Sequence, residues 1–177
     1  SNMQLHWGMS VFHYDITDAI ENVTIPASAC NSPPCFQLQN IGEQTNNGVE
    51  ALLTAYLGEH WEFHINYTYL DRDNKSDPDI LPLDTPQNSF FSYVSFTAND
   101  QWRFQLSGEY NDDRYSTTDG VQVADGFFIG NAKTTWTPDE HLQFELGVNN
   151  IADKLYAYDE GFYEAGRSYF INARYRY

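Results

Sequence analysis

Basic residues are scarce in this chain: nine Lys and Arg stand against twenty-five Asp and Glu, for a net charge of −16. A phosphate backbone needs a basic footprint, so nucleic-acid binding is excluded. Apolar runs are short, and none reaches the roughly 20 residues that a membrane-spanning helix requires. Cysteine is limited to Cys30 and Cys35, which bracket Asn-Ser-Pro-Pro in a polar stretch. Two thiols make half of a zinc site at best, and no neighbouring His completes it. A disulfide in a loop on an oxidising surface is the preferred reading, and a thiol pair the other. The five His show no metal-ligand spacing, and His6 and His13 fall on opposite faces of a regular strand. There is no G-x-S-x-G elbow and no H-E-x-x-H pair. Asp71-Arg72-Asp73-Asn74-Lys75 begins like a calcium loop but lacks the third ligand and the Gly. No catalytic residue, metal site or cofactor is therefore expected, and the chain is not expected to be an enzyme.

What is present is alternation. In Trp61–Tyr69 one face carries Trp61, Phe63, Ile65, Tyr67 and Tyr69, and the other carries Glu62, His64, Asn66 and Thr68. Side chains of a strand point to alternate faces, so this segment lies between an apolar medium and water. The pattern recurs where Trp102, Phe104 and Leu106 oppose Arg103, Gln105 and Glu109. It recurs again where Leu142, Phe144, Leu146 and Val148 oppose Gln143 and Glu145. Eight strands are predicted: 4–17, 36–57, 61–70, 89–97, 102–114, 126–137, 142–148 and 166–177. In the second, Val49, Ala51, Leu53, Ala55 and Leu57 point outward, and Glu50 and Thr54 inward. Aromatics at 16% and a negative mean hydropathy suit such two-faced strands.

The connections alternate too. Short turns at 58–60, 98–101 and 138–140 are separated by long polar stretches at 17–39, 71–87, 111–125 and 149–165. An antiparallel meander then has every short turn at one end and every long loop at the other. Outer-membrane β-barrels are organised that way. Trp61, Trp102 and Trp136 all flank short turns and are predicted to share one membrane interface. The long loops hold most of the acids, among them Asp77, Asp79, Asp112, Asp113 and Asp119, a surface that disfavours anions at long range. Two other readings remain open at this point. One is a soluble ligand-binding barrel with core tryptophans, and the other a complete eight-stranded membrane barrel of structural or enzymatic type.

Specific residues carry a family resemblance. Asn40, Gly42, Gly48 and Glu50 resemble the N-x-G-x-x-x-x-x-G-x-E strand of TonB-dependent outer-membrane receptors. Gly147-Val148-Asn149-Asn150-Ile151-Ala152-Asp153-Lys154-Leu155-Tyr156 is similar to their penultimate G-V-x-N-L-x-D-K-x-Y. Gly166-Arg167-Ser168-Tyr169 and the ending Arg174-Tyr175-Arg176-Tyr177 resemble their closing strand, with Ala165 where Pro is common and Tyr177 where Phe is. Asp84-Thr85-Pro86 fits the start of the fourth strand.

The resemblance implies an all-β fold, a C-terminal meander of about eight strands within a transmembrane barrel of about twenty-two. Residues 4–177 would be that barrel portion, with 1–3 a tag remnant and the plug domain absent. It implies a bacterial outer-membrane location, and partners in membrane lipid, in a ferric siderophore or other scarce nutrient, and in TonB through a missing N-terminal region. Ligand contacts vary too widely within the family to carry over, so the ligand-binding residues are unknown. Ile171, Ala173, Tyr175 and Tyr177 resemble the C-terminal signal read by the barrel-assembly machinery. Glu62, His64, Arg103, Gln105, Glu109, Lys133, Gln143, Glu145, Arg174 and Arg176 are expected on the wet inner wall. The chain by itself is expected either to close into an eight-stranded barrel or to self-associate, with self-association favoured.

Overall fold

The computed structural model describes residues 3–30 and 35–177. Its twelve strands are β1 (Met3–Ile25), β2 (Cys35–Leu57), β3 (Trp61–Asn74), β4 (Asn88–Thr97), β5 (Trp102–Asn111), β6 (Arg114–Tyr115), β7 (Val123–Ala124), β8 (Phe127–Trp136), β9 (Leu142–Asn149), β10 (Ala157–Asp159), β11 (Phe162–Tyr163) and β12 (Ser168–Tyr175). Eight of them form one sheet in the order β1-β2-β3-β4-β5-β8-β9-β12, while β6-β7 and β10-β11 are small hairpins within the loops. Each neighbouring pair of the large sheet is antiparallel, so the expected meander is the observed architecture.

Several expected boundaries move. The stretch 17–39, read as a loop, is mostly strand: Ile20 to Ile25 pairs with Cys35 to Asn40, raising a hairpin beyond the rest of the sheet. Polar residues signal a loop there, yet paired strands standing in water need no apolar face. A bulge between Ile16 and Ile20, with Asp18 at φ 59°, shifts the register at the hairpin's base. Opposite it, Asn40 Oδ1 accepts from Gly42 N at 3.0 Å, and Gly42 takes φ 85°, which explains the Asn-x-Gly spacing. β3 runs on to Asn74 for the same reason. β5 stops at Asn111 rather than Arg114, and β12 at Tyr175, leaving Tyr177 beyond the strand. β4 begins at Asn88, after the Asp84-Thr85-Pro86 turn, and Met3 already pairs with Leu57. Residues 1, 2 and 31–34 lie outside the described residues.

Register fixes the faces. Trp61, Phe63 and Ile65 of β3 pair with Phe96, Val94 and Ser92, and Leu106 of β5 pairs with Val94 and Ala132. Ser92 apart, these side chains form an apolar outer face, where Leu106 is 57% and Ile171 69% exposed. A soluble domain would bury such a surface, and no second layer of the described residues covers it. The opposite face holds Glu62, His64, Arg103, Gln105, Glu109, Lys133, Gln143, Glu145, Arg174 and Arg176, as register requires. It is not uniformly polar: Phe12, Leu52, Phe91, Phe127, Ile129 and Phe170 share it. Phe12 covers Gly48 and Phe170 covers Gly147, so a Cβ at either glycine would collide with the ring. This explains two of the motif glycines as places where an aromatic ring lies flat on the backbone.

The sheet is open: among the described residues, β1 and β12 do not pair. Closure into an eight-stranded barrel, one of the two expected outcomes, is thus not the structure. Such a barrel has an interior just wide enough for packed side chains. It would have to absorb Arg103, Tyr93, Phe127 and Arg174 together. In addition, β1 spans 23 residues and β12 only 8, so most of β1 would remain unpaired.

Candidate functional site

The short connections 58–60, 98–101 and 137–141 lie at one end of the sheet and the four long ones at the other. Gly58, at φ 62°, supports the tightest turn. Just inside that end Trp61, Trp102 and Trp136 all lie on the outer face. Trp102 and Trp136 stack at 5.7 Å, Trp61 meets Phe96 at 4.6 Å, and Phe63, Phe104 and Phe144 extend the band. The three tryptophans thus form one aromatic belt at the level where short turns meet the apolar zone.

The inner wall is tied together by charge-assisted bonds. Arg103 donates to Glu62 at 2.6 Å and to Ser95 Oγ at 2.6 Å, and Tyr93 donates to the other Glu62 oxygen at 2.6 Å. His64 stacks on Tyr93 at 4.9 Å and meets Thr54 at 3.0 Å, while Lys133 pairs with Glu145 at 3.4 Å. Arg103 is half exposed, so its ion pair contributes under about 1 kcal/mol. These side chains satisfy one another.

Above the wall the long loops fold onto each other. Leu81 N donates to Thr118 O, Asp84 N to Tyr115 O and Glu160 N to Ser116 Oγ, joining three connections at 2.9, 3.0 and 2.8 Å. The raised hairpin joins them through Thr24 N and Thr118 Oγ1 at 3.4 Å. Cys30 and Cys35 are joined by a disulfide in the turn of that hairpin, with Cα atoms 6.1 Å apart. The Asn150–Asp153 motif anchors the last loop. Asn150, at φ 52°, donates to Lys154 O at 2.8 Å and accepts from Lys154 N at 2.9 Å, and Asp153 accepts from Arg167 N at 2.7 Å. The motif is therefore a loop-shaping device.

The cluster centres on Phe127, 1% exposed, flanked by Tyr156 at 4.6 Å and Tyr158 at 5.2 Å. The Arg114 guanidinium lies 5.5 Å from the Phe127 ring centre and 5.3 Å from that of Tyr158. Tyr158 donates to Glu109 at 2.8 Å, and Asn111 donates to the same carboxylate at 2.7 Å. Burial, then the Glu109 bond, pushes the Tyr158 hydroxyl well above its ordinary range. Burial lowers the Arg114 pKa, opposed by Tyr158, Glu109 and Asp84. Asp84, at φ 60°, is raised by burial and then by the Asp159 carboxylate. Beside these groups an open cavity of about 270 Å³ is lined by Leu70, Arg72, Thr85, Gln87, Asp112 and Arg114 among others. Arg72 is engaged there, donating to Leu83 O and Thr85 Oγ1, both at 2.9 Å. Sequence reasoning placed Glu109 on the inner wall and Asp84 and Tyr156 in family motifs, but did not bring them together with Arg114, Phe127 and Tyr158. The available signals were the single basic residue, Arg114, in the acidic stretch 111–125 and the Tyr156-Ala157-Tyr158 pair in the last loop. Among the described residues no three His, Cys, Asp or Glu side chains converge as a cation site, including those of Asp71–Lys75.

Comparisons with known proteins agree with this geometry. The family model described as "TonB dependent receptor-like, beta-barrel" matches residues 1–151. The ferric enterobactin receptor of Pseudomonas aeruginosa is 24% identical over 166 aligned positions, covering 83% of this chain and 22% of its own length. Among solved structures, the copper transporter OprC superposes with a TM-score of 0.80 at 16% identity, over 97% of this chain and 29% of its own. The siderophore receptor PiuA from Acinetobacter baumannii superposes with a TM-score of 0.74 at 16% identity, over 96% of this chain and 25% of its own. This chain thus spans about a fifth of the curated relative's length, and the likenesses to solved structures concern the fold. With its apolar outer face, its one-sided loops and the family match across most of its length, the chain belongs to the TonB-dependent receptor-like β-barrel family of bacterial outer-membrane proteins.

Proposed function

We propose that this chain is a wall segment of a receptor that imports a ferric siderophore, energised through TonB, and that it has no catalytic activity of its own. One observation carries the reading: the four long connections fold together at one end of a two-faced sheet, over a polar inner wall. A barrel wall so built offers outward-facing recognition loops and a wet passage beneath them. Two curated relatives, a ferric enterobactin receptor and a ferric-pyoverdine receptor, support the choice of cargo. Residues 4–177 are assigned to the C-terminal barrel portion. TonB would engage another part of the receptor, and Ile171, Ala173, Tyr175 and Tyr177 would serve barrel assembly.

The test is uptake by the producing bacterium. Disruption of the gene should abolish accumulation of radioactive iron from at least one catecholate or mixed-ligand ferric siderophore under iron limitation. Loss of TonB or addition of an uncoupler should do the same. Unchanged iron uptake with every siderophore tried, together with loss of copper uptake, would replace this cargo with copper.

A further inference from the structure

On the outer face, β8 is shaped unlike its neighbours. Its outward side chains run Phe128, Gly130, Ala132, Thr134 and Trp136, so two large rings bracket three small residues. Register places Leu106 and Phe104 of β5 on one side of Ala132 and Thr134, and Val148 and Leu146 of β9 on the other. Small side chains between two rows of larger ones leave a furrow along the strand. Gly130 is open: a Cβ there would meet only Ser107 O, at 3.8 Å, whereas Gly108 beside it lies under the Phe128 ring. The furrow shares Ala132 and Thr134 with a cavity of about 310 Å³ that reaches across β5 to Phe96 and Trp61. A flexible apolar chain laid in it would gain dispersion contacts along its whole length.

What borders the furrow decides its occupant. The outer face meets lipid, and from Gly130 to Thr134 the strand runs roughly 14 Å, which suits one leaflet of an apolar band about 25 Å tall. Below it Trp102 and Trp136 stack at the level of the short turns, and neither indole N–H donates to an acceptor among the described residues. An indole nitrogen is a donor only, so it suits a phosphate oxygen at the membrane interface. The short turns carry Glu59, Asp100, Asp139 and Glu140 and no Lys or Arg. The Asp100 carboxylate makes no hydrogen bond among the described residues. Arg103 and Lys133 are spent on Glu62 and Glu145 of the inner wall, and Arg174 and Arg176 belong to that wall at the β12 edge. An anionic headgroup is therefore repelled beneath the furrow, and one with a cation beyond its phosphate is matched.

We infer that the furrow of β8 holds one acyl chain of a phospholipid from the short-turn leaflet, and that its headgroup ends in a primary ammonium, as in phosphatidylethanolamine. The acyl chain lies over Gly130, Ala132 and Thr134. The phosphate meets the indole donors of Trp102 and Trp136, and the ammonium meets Asp100 and Glu140. The site faces lipid, apart from the inner wall and whatever cargo crosses beside it. Its two halves are separable: the furrow sets how firmly a lipid is retained, and the acidic turns set which headgroup it carries.

The experiment strips the purified receptor carrying this chain of lipid in detergent. It is then equilibrated with equal amounts of phosphatidylethanolamine, phosphatidylcholine and phosphatidylglycerol, and retained lipids are identified by native mass spectrometry. The wild type should retain phosphatidylethanolamine about fivefold over each of the others, the scale of a hydrogen-bonded but exposed ion pair. Phosphatidylcholine carries the positive charge without an N–H donor, and phosphatidylglycerol carries neither. Ala132→Leu and Thr134→Leu each fill the furrow with a side chain suited to that face. Each should cut retention several-fold with the barrel's melting behaviour unchanged. Leu53→Phe, on the outer face of β2, should leave retention as it is. Asp100→Asn combined with Glu140→Gln should keep a lipid in the furrow and lose the preference over phosphatidylglycerol. Undiminished retention by both leucine variants, or an equal loss in Leu53→Phe, would overturn the furrow as the site. Equal retention of the three headgroups by the wild type, or an unaltered preference in the double variant, would overturn the headgroup assignment. A wild type that retained no lipid would overturn both.

Discussion

Leu106 and Asn66 offer the sharpest test of the two-faced sheet. Both sit mid-strand, Leu106 on the outer face between Val94 and Ala132, Asn66 on the inner face between Leu52 and Phe91. Leu106 is four residues from Trp102, which belongs to the aromatic belt. At roughly 3.4 Å per residue and a strand tilt of about 40°, those four residues rise roughly 10 Å. The apolar band of such a barrel is about 25 Å tall, which puts Leu106 close to its midplane. An arginine there costs about 2–4 kcal/mol. At 1.4 kcal/mol per decade, the folding equilibrium should shift by roughly 30- to 1,000-fold. Asn66→Arg puts the same charge into the wet interior and should stay within about 0.5 kcal/mol of wild type. The assay is urea-dependent refolding of the receptor into lipid vesicles, followed by tryptophan fluorescence. Equal penalties at the two positions would refute the assignment of faces, and with it the membrane reading of the sheet.

Four further outcomes are expected. Mass spectrometry of unreduced protein isolated from the outer membrane should find Cys30 linked to Cys35; free alkylation of both thiols there would contradict an exported loop. Asn150→Ala should destabilise the last loop by about 1–3 kcal/mol, through two lost hydrogen bonds and a strained positive φ. The change should appear as faster proteolysis between 150 and 167. Because folding raises the Asp84 pKa, its charged form weakens the folded loops above that pKa, and the penalty disappears as pH falls through it. Mild acidification should therefore increase hydrogen-exchange protection of the loop cluster, and Asp84→Asn, which tolerates φ 60°, should abolish that dependence. Finally, the isolated chain in detergent-free buffer should self-associate through its open edges and apolar face. A monodisperse monomer in light scattering would show that reasoning to be wrong.

Strand number, order and facing were legible because a strand's side chains alternate with period two, whatever they pack against. Trp61–Tyr69 and Leu142–Val148 carry that signal in full. Loops were misjudged where they were read from polarity. Ile20–Ile25 pairs in water with Cys35–Asn40, where alternation is not enforced, so of this hairpin only the second arm was legible, in the strand predicted from 36. The sequence puts Arg114 at the end of β5, because nothing local distinguishes a strand's last residue from the first of a two-residue hairpin.

By itself the sequence determined the meander and its two faces, while the medium against the apolar face was settled by a sheet whose outer face nothing covers among the described residues. Alternating faces demand an apolar surrounding on one side, and alternating loop lengths demand a polarised meander. Only the tertiary structure decided which loop residues meet. Arg114, Phe127 and Tyr158 lie on three different elements, and their proximity depends on how three connections stack through bonds such as Leu81 N to Thr118 O. No periodicity encodes contacts between loops, because such contacts follow from closure geometry and not from the local backbone repeat.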